Sequence, residues 1–230
     1  MTTKRRKADP RELPAYSISE AAHYLSVPAA TVRYWATGQN SYEPLINIPA
    51  HDPVLLSFLN MVELHVLAAI RRKHSVPMPK VRKAIDYLQS QTIKSTISYR
   101  HPLISQQLET DGLDLFIERY GQLVNISRAG QTAMREVLST ALKRIERDTK
   151  GVPVRLFPFT RNQLERAPAL VVMDPALSAG RPVIAGTGLA TEIIAERYKA
   201  GDSIRELAKD YERKTSEIEE AIRCELKTAA

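Results

Sequence analysis

The stretch from Tyr16 to Thr37, YSISEAAHYLSVPAATVRYWAT, constrains the fold of this chain more than any other. Ser17 and Glu20 form an S-x-x-E capping box, which predicts the start of a helix. Pro28 then interrupts the helical period, because proline is accepted at a helix start and is harmful inside a helix. The pattern therefore predicts two short helices joined by a tight turn. Their apolar faces carry Ile18, Ala21, Ala22 and Leu25 in the first helix, and Ala29, Val32, Trp35 and Ala36 in the second.

Two short helices can bury a shared face only if the second crosses the first. This is the helix-turn-helix arrangement, which presents the second helix to the major groove of DNA. The opposite stripe of that helix carries a permanent cation and several hydroxyl groups, which suit phosphates and base edges. We therefore predict that Thr31, Arg33, Tyr34 and Thr37 contact DNA. The pattern leaves one alternative open, an ordinary helical hairpin with a solvated arginine.

The run from Ser17 to Trp35 resembles the N-terminal winged helix-turn-helix of MerR-like regulators, above all in Thr31-Val32-Arg33-Tyr34-Trp35. This resemblance implies that the loop from Gly38 to Glu43 is the wing, although the loop contains no Lys or Arg. Pro28 stands where that family usually has a capping Ser or Thr.

The net charge of +7 lies in the first hundred residues. Residues 1–100 contain 14 Lys plus Arg against 7 Asp plus Glu, residues 101–160 contain 8 against 7, and residues 161–230 contain 11 against 12. Cations that neutralise phosphates release counterions, which favours binding. A basic surplus concentrated in the part that contains the helix-turn-helix therefore indicates nucleic-acid binding rather than a generally basic, solvated surface. Lys4, Arg5 and Arg6 lie in a flexible basic arm that either follows DNA or keeps the chain soluble.

Composition excludes several other functions. Cys224 is the only cysteine, so an intrachain disulfide and a cysteine-cluster metal site are excluded, and the scattered histidines predict no metal or cofactor. No apolar run approaches the length of a membrane span, so we expect a cytoplasmic protein without a membrane partner. An enzyme is not expected either, because no catalytic pair or phosphate loop stands at a persuasive spacing. The nearest candidate, a nuclease using Asp111, Asp114 and Glu118, has its acids beside a predicted turn.

After the presumed wing, Leu45 to Pro49 is predicted as a short strand. Asp52 and Pro53 suit the cap and first turn of a helix that continues from Val54 to Lys73. A further helix follows a proline-rich turn and has Val81, Ala84, Ile85 and Leu88 on one face.

The middle segment is predicted as α+β. Two apolar runs, 115–117 and 123–126, flank Tyr120-Gly121-Gln122, which looks like a hairpin. Gln131 to Asp148 is a strongly amphipathic helix. Such a stripe is most often core, and it is also the best candidate for a homodimer seam, since palindromic operators match proteins with two-fold symmetry. The stripe comprises Met134, Val137, Leu138, Ala141, Leu142 and Ile145.

The C-terminal part begins with a buried-strand signal at 170–173 and a glycine-rich run at 180–188. The run lacks the spacing of a phosphate or dinucleotide loop, so a strand flanked by tight turns is the better interpretation. Three short helices follow, at about 191–199, 204–211 and 217–227. This unit could also be a helix-turn-helix, but a duplex would repel its acidic last helix, and a protein partner is favoured. That helix carries Glu217, Glu219, Glu220 and Glu225 against Arg223 and Lys227.

The stretch from Asp174 to Glu225 is similar to a small domain of unknown function that occurs in VapB-type antitoxins paired with PIN-like toxins. A MerR-like motif joined to this domain looks like the longer, DNA-binding members of that antitoxin group. The similarity rests on Gly180-x-Pro182-Val183-Ile184-x-Gly186-Thr187, on Ala200-Gly201-Asp202-Ser203, and on Leu207, Tyr211 and Ala221.

The resemblance implies an antitoxin that neutralises a PIN-like endoribonuclease and represses the shared operon. Its partners would be the toxin and double-stranded operator DNA, and its assembly a homodimer. PIN-type nucleases hold Mg²⁺ with clustered acids, where a neutraliser can place a cation. Arg181 is the candidate for that cation, unless it braces the glycine turns, and Gly186 and Thr187 are the other predicted toxin contacts. The alternative function is a regulator that senses a small molecule through residues 93–159.

These patterns together predict a mainly α fold with small β elements. We expect a flexible basic arm in residues 1–15 and a winged helix-turn-helix in 16–92. An α+β segment with a hairpin would follow in 93–166, and a β-hairpin plus three-helix domain in 167–230.

Overall fold

The computed structural model describes residues 9–226 apart from short gaps at 40–41, 74–77, 92–99, 106–107, 109–111, 125–126, 162–163 and 165–166. The fold is mainly α-helical with small antiparallel sheets, as the sequence predicts. The helices are α1 (Ile18–Leu25), α2 (Ala29–Thr37), α3 (Phe58–Lys73), α4 (Met78–Gln91), α5 (Leu113–Val124), α6 (Arg128–Leu142), α7 (Thr191–Lys199), α8 (Ile204–Asp210) and α9 (Thr215–Leu226). The strands are β1 (Tyr16–Ser17), β2 (Ala50–His51), β3 (Val54–Leu56), β4 (Ile145–Arg147), β5 (Pro153–Leu156), β6 (Val171–Val172) and β7 (Val183–Ile184).

The predicted pair of short helices is present as α1 and α2. The backbone N–H of Glu20 donates to Ser17 Oγ at 3.2 Å, and Glu20 Oε2 accepts the Ser17 N–H at 2.8 Å, so the capping box is complete. Ser26 ends α1 in the left-handed conformation, with φ of 50°. Helix α2 begins directly after Pro28 and has no side-chain cap.

The wing lies later in the chain than predicted. Strands β2 and β3 form an antiparallel hairpin, and β3 also pairs with β1, which leads into α1. The prediction of a wing at Gly38–Glu43 is wrong, because the described residues there form only an isolated bridge between Gln39 and Tyr42. The predicted strand at 45–49 is also wrong. Its buried start folds back against α2, where the Leu45 N–H donates to the Trp35 carbonyl at 2.7 Å.

The start of α3 was also predicted too early. Asp52 and Pro53 form the hairpin turn, joined by a cis peptide bond, rather than a helix start. The N-terminus of α3 is capped instead by Ser57, whose Oγ accepts the Asn60 N–H at 3.2 Å while Asn60 Oδ1 accepts the Ser57 N–H at 3.0 Å. A short apolar run such as 54–56 fits a strand or a helix equally by periodicity, and this later cap decides the outcome.

Helix α3 is the centre of the fold, and every residue from Phe58 to Ile70 is buried. The buried set includes Glu63, whose side chain is 1% exposed. Glu63 Oε2 accepts a hydrogen bond from His101 Nδ1 at 2.9 Å, and the Asn60 amide donates to the same oxygen at 3.3 Å. A buried charge of this kind is retained only when it is paired and hydrogen-bonded.

The hairpin predicted around Tyr120-Gly121-Gln122 is wrong, because these residues lie inside α5. The buried side chains Leu113, Phe116, Ile117 and Tyr120 recur at helical spacing, so the segment follows the period of a helix. A Cβ at Gly121 would lie 2.7 Å from Gln131 Nε2, the far end of a flexible side chain on α6. The end of the predicted hairpin, residues 125–126, lies outside the described residues.

The predicted dimer seam on α6 is covered by the chain itself. Helix α6 packs against α3 and α5, and its apolar stripe from Met134 to Leu142 is buried there. The stripe is therefore core, the commoner of the two interpretations, and the prediction of a seam at this site is wrong. The helix also ends earlier than predicted, because Ile145 begins β4.

The C-terminal unit has the predicted hairpin and three helices. Strands β6 and β7 pair antiparallel, and Met173 bridges to Leu156 of β5. Helices α7, α8 and α9 enclose a small apolar cluster of their own. The unit is nevertheless joined to the main core, which includes Val171, Met173 and the buried Cys224 together with α1, α2 and α3.

Candidate functional site

Helix α2 presents one exposed cation. Val32, Trp35 and Ala36 are buried, and Arg33 lies on the exposed side with Pro28, Ala29 and Ala30. The other predicted DNA contacts, Thr31, Tyr34 and Thr37, are half-buried. Thr37 Oγ1 donates to the Arg33 carbonyl at 2.9 Å, and Tyr34 packs partly against the core.

The prediction of a flexible arm is wrong for residues 9–15, which the structure describes as attached to the rest of the chain. Arg11 Nη1 donates to Asp148 Oδ2 at 2.7 Å, and the same guanidinium also binds Asp9, so the part of the arm from residue 9 onward is attached to the middle of the chain. These two hydrogen bonds lower the pKa of Asp9 and Asp148 below their usual range. Lys4, Arg5 and Arg6 lie outside the described residues.

The helix pairs α1–α2 and α8–α9 repeat one motif. Corresponding residues of the two pairs are always separated by the same number of positions in the sequence. Ser203 and Glu206 form a capping box that corresponds to Ser17 and Glu20. In the turn after α8, Glu212 has φ of 51°, and in the turn after α1, Ser26 has φ of 50°. Both turns carry the same backbone bond, from Val27 N–H to Ala22 O at 3.0 Å and from Arg213 N–H to Ala208 O at 2.9 Å. The C-terminal unit is therefore a second helix-turn-helix, in which Glu219 stands at the position of Arg33.

The acidic residues of α9 are less exposed than the sequence suggests. The Glu220 side chain is 0% exposed, and Arg161 binds both of its oxygens, with the shortest distance 2.6 Å from Nη2 to Oε2. Burial raises the pKa of Glu220, but the combined effect of Arg161, Thr160 and Arg223 is larger and opposite. The pKa of Glu220 therefore lies below the usual range. Glu225 faces inward to Thr191 and His23. Glu217 is half-buried and accepts the Lys214 N–H at 2.8 Å, so the electrostatic argument against DNA rests mainly on the exposed Glu219.

Arg181 contacts the segment that leads into α1 and the first turn of that helix. Its Nη2 is 2.8 Å from Glu20 Oε1, its Nη1 donates to the Ala15 carbonyl at 3.1 Å, and its guanidinium lies 5.1 Å from the centre of the Tyr16 ring. The neighbouring Gly180 carbonyl accepts the Tyr16 hydroxyl at 2.8 Å. Gly180 has φ of 81°, and a Cβ there would lie 2.2 Å from that hydroxyl oxygen, so only glycine fits.

Gly186 and Thr187 lie beside an open groove of about 590 Å³. A Cβ at Gly186 or Gly188 would meet nothing within 4 Å, so the backbone here faces open space. Thr187 Oγ1 donates to the Ile184 carbonyl at 2.8 Å and accepts the Leu189 N–H at 3.1 Å, which fixes the turn. The other lining residues are Glu146, Arg155, Phe157, Val172, Leu177 and Ala185.

The acids considered for a nuclease do not form a cluster in the described part of the chain. Asp114 and Glu118 are exposed on α5, Asp114 pairs with Arg135, and Asp111 lies outside the described residues. No helix among the described residues is long and apolar enough to cross a membrane.

Two sequence families match the chain. Residues 14–85 match the family described as "Putative DNA-binding HTH domain", and residues 171–223 match "Protein of unknown function (DUF433)". The crystal structure of Rv2018 from Mycobacterium tuberculosis superposes with a TM-score of 0.69 at 25% sequence identity, covering 91% of this chain and 98% of that one.

Two full-length relatives come from the same organism, Mycobacterium tuberculosis strain H37Rv. The uncharacterized protein Rv2308 is 21% identical, over 90% of this chain and 88% of its own length. The protein named "Putative antitoxin VapB45" is 30% identical in an alignment 227 positions long, which covers 87% of this chain and 89% of the relative. The chain therefore belongs to the VapB-type antitoxins, with a helix-turn-helix at its N-terminus and a DUF433 domain at its C-terminus.

Proposed function

We propose that this antitoxin neutralises a PIN-like ribonuclease and represses its own operon as a cytoplasmic, non-enzymatic homodimer. The observation that carries the proposal is the exposed Arg33 on a helix-turn-helix whose other face is fully buried. The relationship to VapB45 supports a toxin partner, and the open groove beside Gly186 supplies a second surface for it.

In the proposed DNA complex, α2 would enter the major groove, and Arg33 would be its main contact with the DNA. Thr31, Tyr34 and Thr37 supply hydroxyls at its edges, and Lys4, Arg5 and Arg6 add phosphate contacts from the arm. The exposed positions 28–30 are small and let the helix approach closely. Two such helices in a homodimer would match a palindromic operator.

Arg33→Ala is expected to weaken operator binding by about 1–3 kcal/mol if Arg33 reads a base edge. The measurement is fluorescence anisotropy with the operator and with a scrambled duplex, and Arg128→Ala, exposed at the start of α6, is the matched control. An equal loss on both duplexes would assign Arg33 to phosphate contact. Unchanged affinity on both would remove it from the interface.

On the toxin side, we propose that a toxin segment lies in the groove against the exposed turn at Gly186 and Thr187. Phe157, Val172 and Leu177 give this groove an apolar lining, while Arg155 is held by Asp174 Oδ2 at 2.9 Å. Arg181, the third predicted contact, already has its guanidinium paired with Glu20. In this proposal Arg181 supports the unit that bears the groove rather than entering the toxin's acidic cluster.

Gly188→Trp is expected to weaken toxin binding at least tenfold, or about 1.4 kcal/mol, with little change in the thermal midpoint. The indole would occupy the groove, whereas the space around Gly188 lets the fold accept a side chain. Gly188→Ala is the matched control and should bind as the wild type does. Calorimetry with the purified toxin checks the result, and equal binding by Gly188→Trp would place the toxin elsewhere.

Neutralisation itself is tested by co-expression with the neighbouring gene. We expect the neighbour to arrest growth alone and this protein to relieve the arrest. A harmless neighbour, or an arrest that persists, would overturn the toxin half of the proposal while leaving the operator measurements intact.

A further inference from the structure

The capping carboxylate of α1 is shared between the first helix-turn-helix and the C-terminal unit. Glu20 Oε2 accepts the Ser17 N–H and the Ser17 hydroxyl, both at 2.8 Å, and so caps the helix. Glu20 Oε1 is 2.8 Å from Arg181 Nη2. One carboxylate therefore fixes the start of α1 and at the same time joins it to the residue that follows Gly180.

The other contacts of Arg181 also fall on the segment that enters α1. Ala15, Tyr16 and Ser17 lead directly into the helix. The guanidinium donates to the carbonyl of Ala15 and lies over the ring of Tyr16, while the hydroxyl of that ring is bound to Gly180. Tyr16 is fully buried and pairs with Leu56 in the sheet, so this segment is held from both sides.

Helix α2 packs directly against α1. Both helices have a buried apolar face, and only residues 26–28 connect them. A shift at the start of α1 is therefore transmitted to Arg33. Base readout depends on such positions, because hydrogen bonds weaken steeply when their geometry departs from the optimum.

We infer that Arg181 is a positioning residue for operator recognition: from the C-terminal unit it holds α1, and thereby α2, in the orientation that reads DNA. The inference rests on the proposed function. Arg181 and Glu20 are each about one-third exposed, so their ion pair contributes little to overall stability and its loss leaves the chain folded.

The test is operator binding by full-length Arg181→Ala at several salt concentrations. We expect roughly a tenfold loss of affinity for the operator, with unchanged affinity for scrambled DNA and an unchanged slope of log K against log salt. A residue that releases no counterions leaves that slope alone, whereas a phosphate contact changes it by about one.

Two further variants keep the inference falsifiable if Arg181→Ala is poorly folded. Arg181→Lys retains a cation for Glu20 without the planar fork and should recover part of the loss. Glu20→Gln should reproduce the loss, and combining it with Arg181→Ala should add nothing.

Several outcomes would overturn the assignment. Wild-type operator affinity in Arg181→Ala shows that the contact does not position α2, and a reduced salt slope shows that Arg181 touches phosphate itself. Loss of toxin binding with normal operator binding makes Arg181 a toxin contact. If the wild-type protein binds no operator, the proposed DNA-binding function is wrong, and the positioning role of Arg181 that rests on it is wrong as well.

Discussion

His101→Ala is expected to lower the free energy of unfolding by about 3–5 kcal/mol, because it leaves the Glu63 carboxylate buried without its partner. His101 is only 5% exposed, its Nδ1 lies 2.9 Å from Glu63 Oε2, and the other Glu63 oxygen has no hydrogen-bond partner among the described residues. Urea unfolding followed by circular dichroism measures the loss. A loss under 1 kcal/mol would contradict the expectation.

The matched control is the double variant Glu63→Leu with His101→Leu. Replacing both members of a buried ion pair by apolar residues removes the unpaired charge, so most of the stability should return. If the double variant is as unstable as His101→Ala, the loss comes from packing around His101 rather than from the charge of Glu63.

The effect of His101 should also depend on pH. Burial lowers the pKa of His101, but the charge and hydrogen bond of Glu63 raise it, so the folded pKa lies above the ordinary 6.5. Stabilisation from a raised histidine pKa is complete below the unfolded value and is lost as pH rises through the folded value. The difference between wild type and His101→Ala should therefore be larger at pH 6 than at pH 9.

Trp35→Ala is expected to cost about 3–5 kcal/mol, since removal of a fully buried aromatic ring leaves a cavity in addition to the lost burial. Trp35 is 0% exposed and is the largest side chain between α2 and the core. Its loss should release α2 and abolish operator binding along with stability. Trp35→Phe is the control, and it should retain most of both.

The fluorescence of the protein offers a second measurement at the same site. Trp35 is the only tryptophan, so its emission reports the packing of α2 alone. We expect blue-shifted emission in the folded chain and a red shift that coincides with unfolding. A red shift at lower urea than the loss of circular dichroism would show that α2 detaches before the rest of the core.

The first helix of each helix pair begins with a reciprocal cap that acts within four residues, Ser17 with Glu20 and Ser203 with Glu206. The sequence predicts the first of these caps, and the structure confirms it. The sequence also allows a second helix-turn-helix, and the structure shows its correspondence to the first. Aligning the two capping boxes would have revealed it, since Ser26 and Glu212 then coincide at the turn.

The middle of the chain was harder to predict because its elements are decided by distant contacts. Two apolar runs that flank Tyr120-Gly121-Gln122 suggest a hairpin, whereas the segment is helix α5, packed against α4 and α6. The role of Arg181 could not be read from the sequence either. Its partners Ala15, Tyr16 and Glu20 lie at the opposite end of the chain.

The burial of Tyr16 against Gly180 means that the two ends of this antitoxin depend on each other for their packing. Deleting residues 167–230 would expose a ring that is fully covered in the intact chain and would remove Cys224 from the main core. Replacing the DUF433 domain by another domain would therefore also require new contacts for the segment that leads into α1. Under the proposed function, a change to the unit that binds the toxin would therefore also alter the support of the helices that bind DNA.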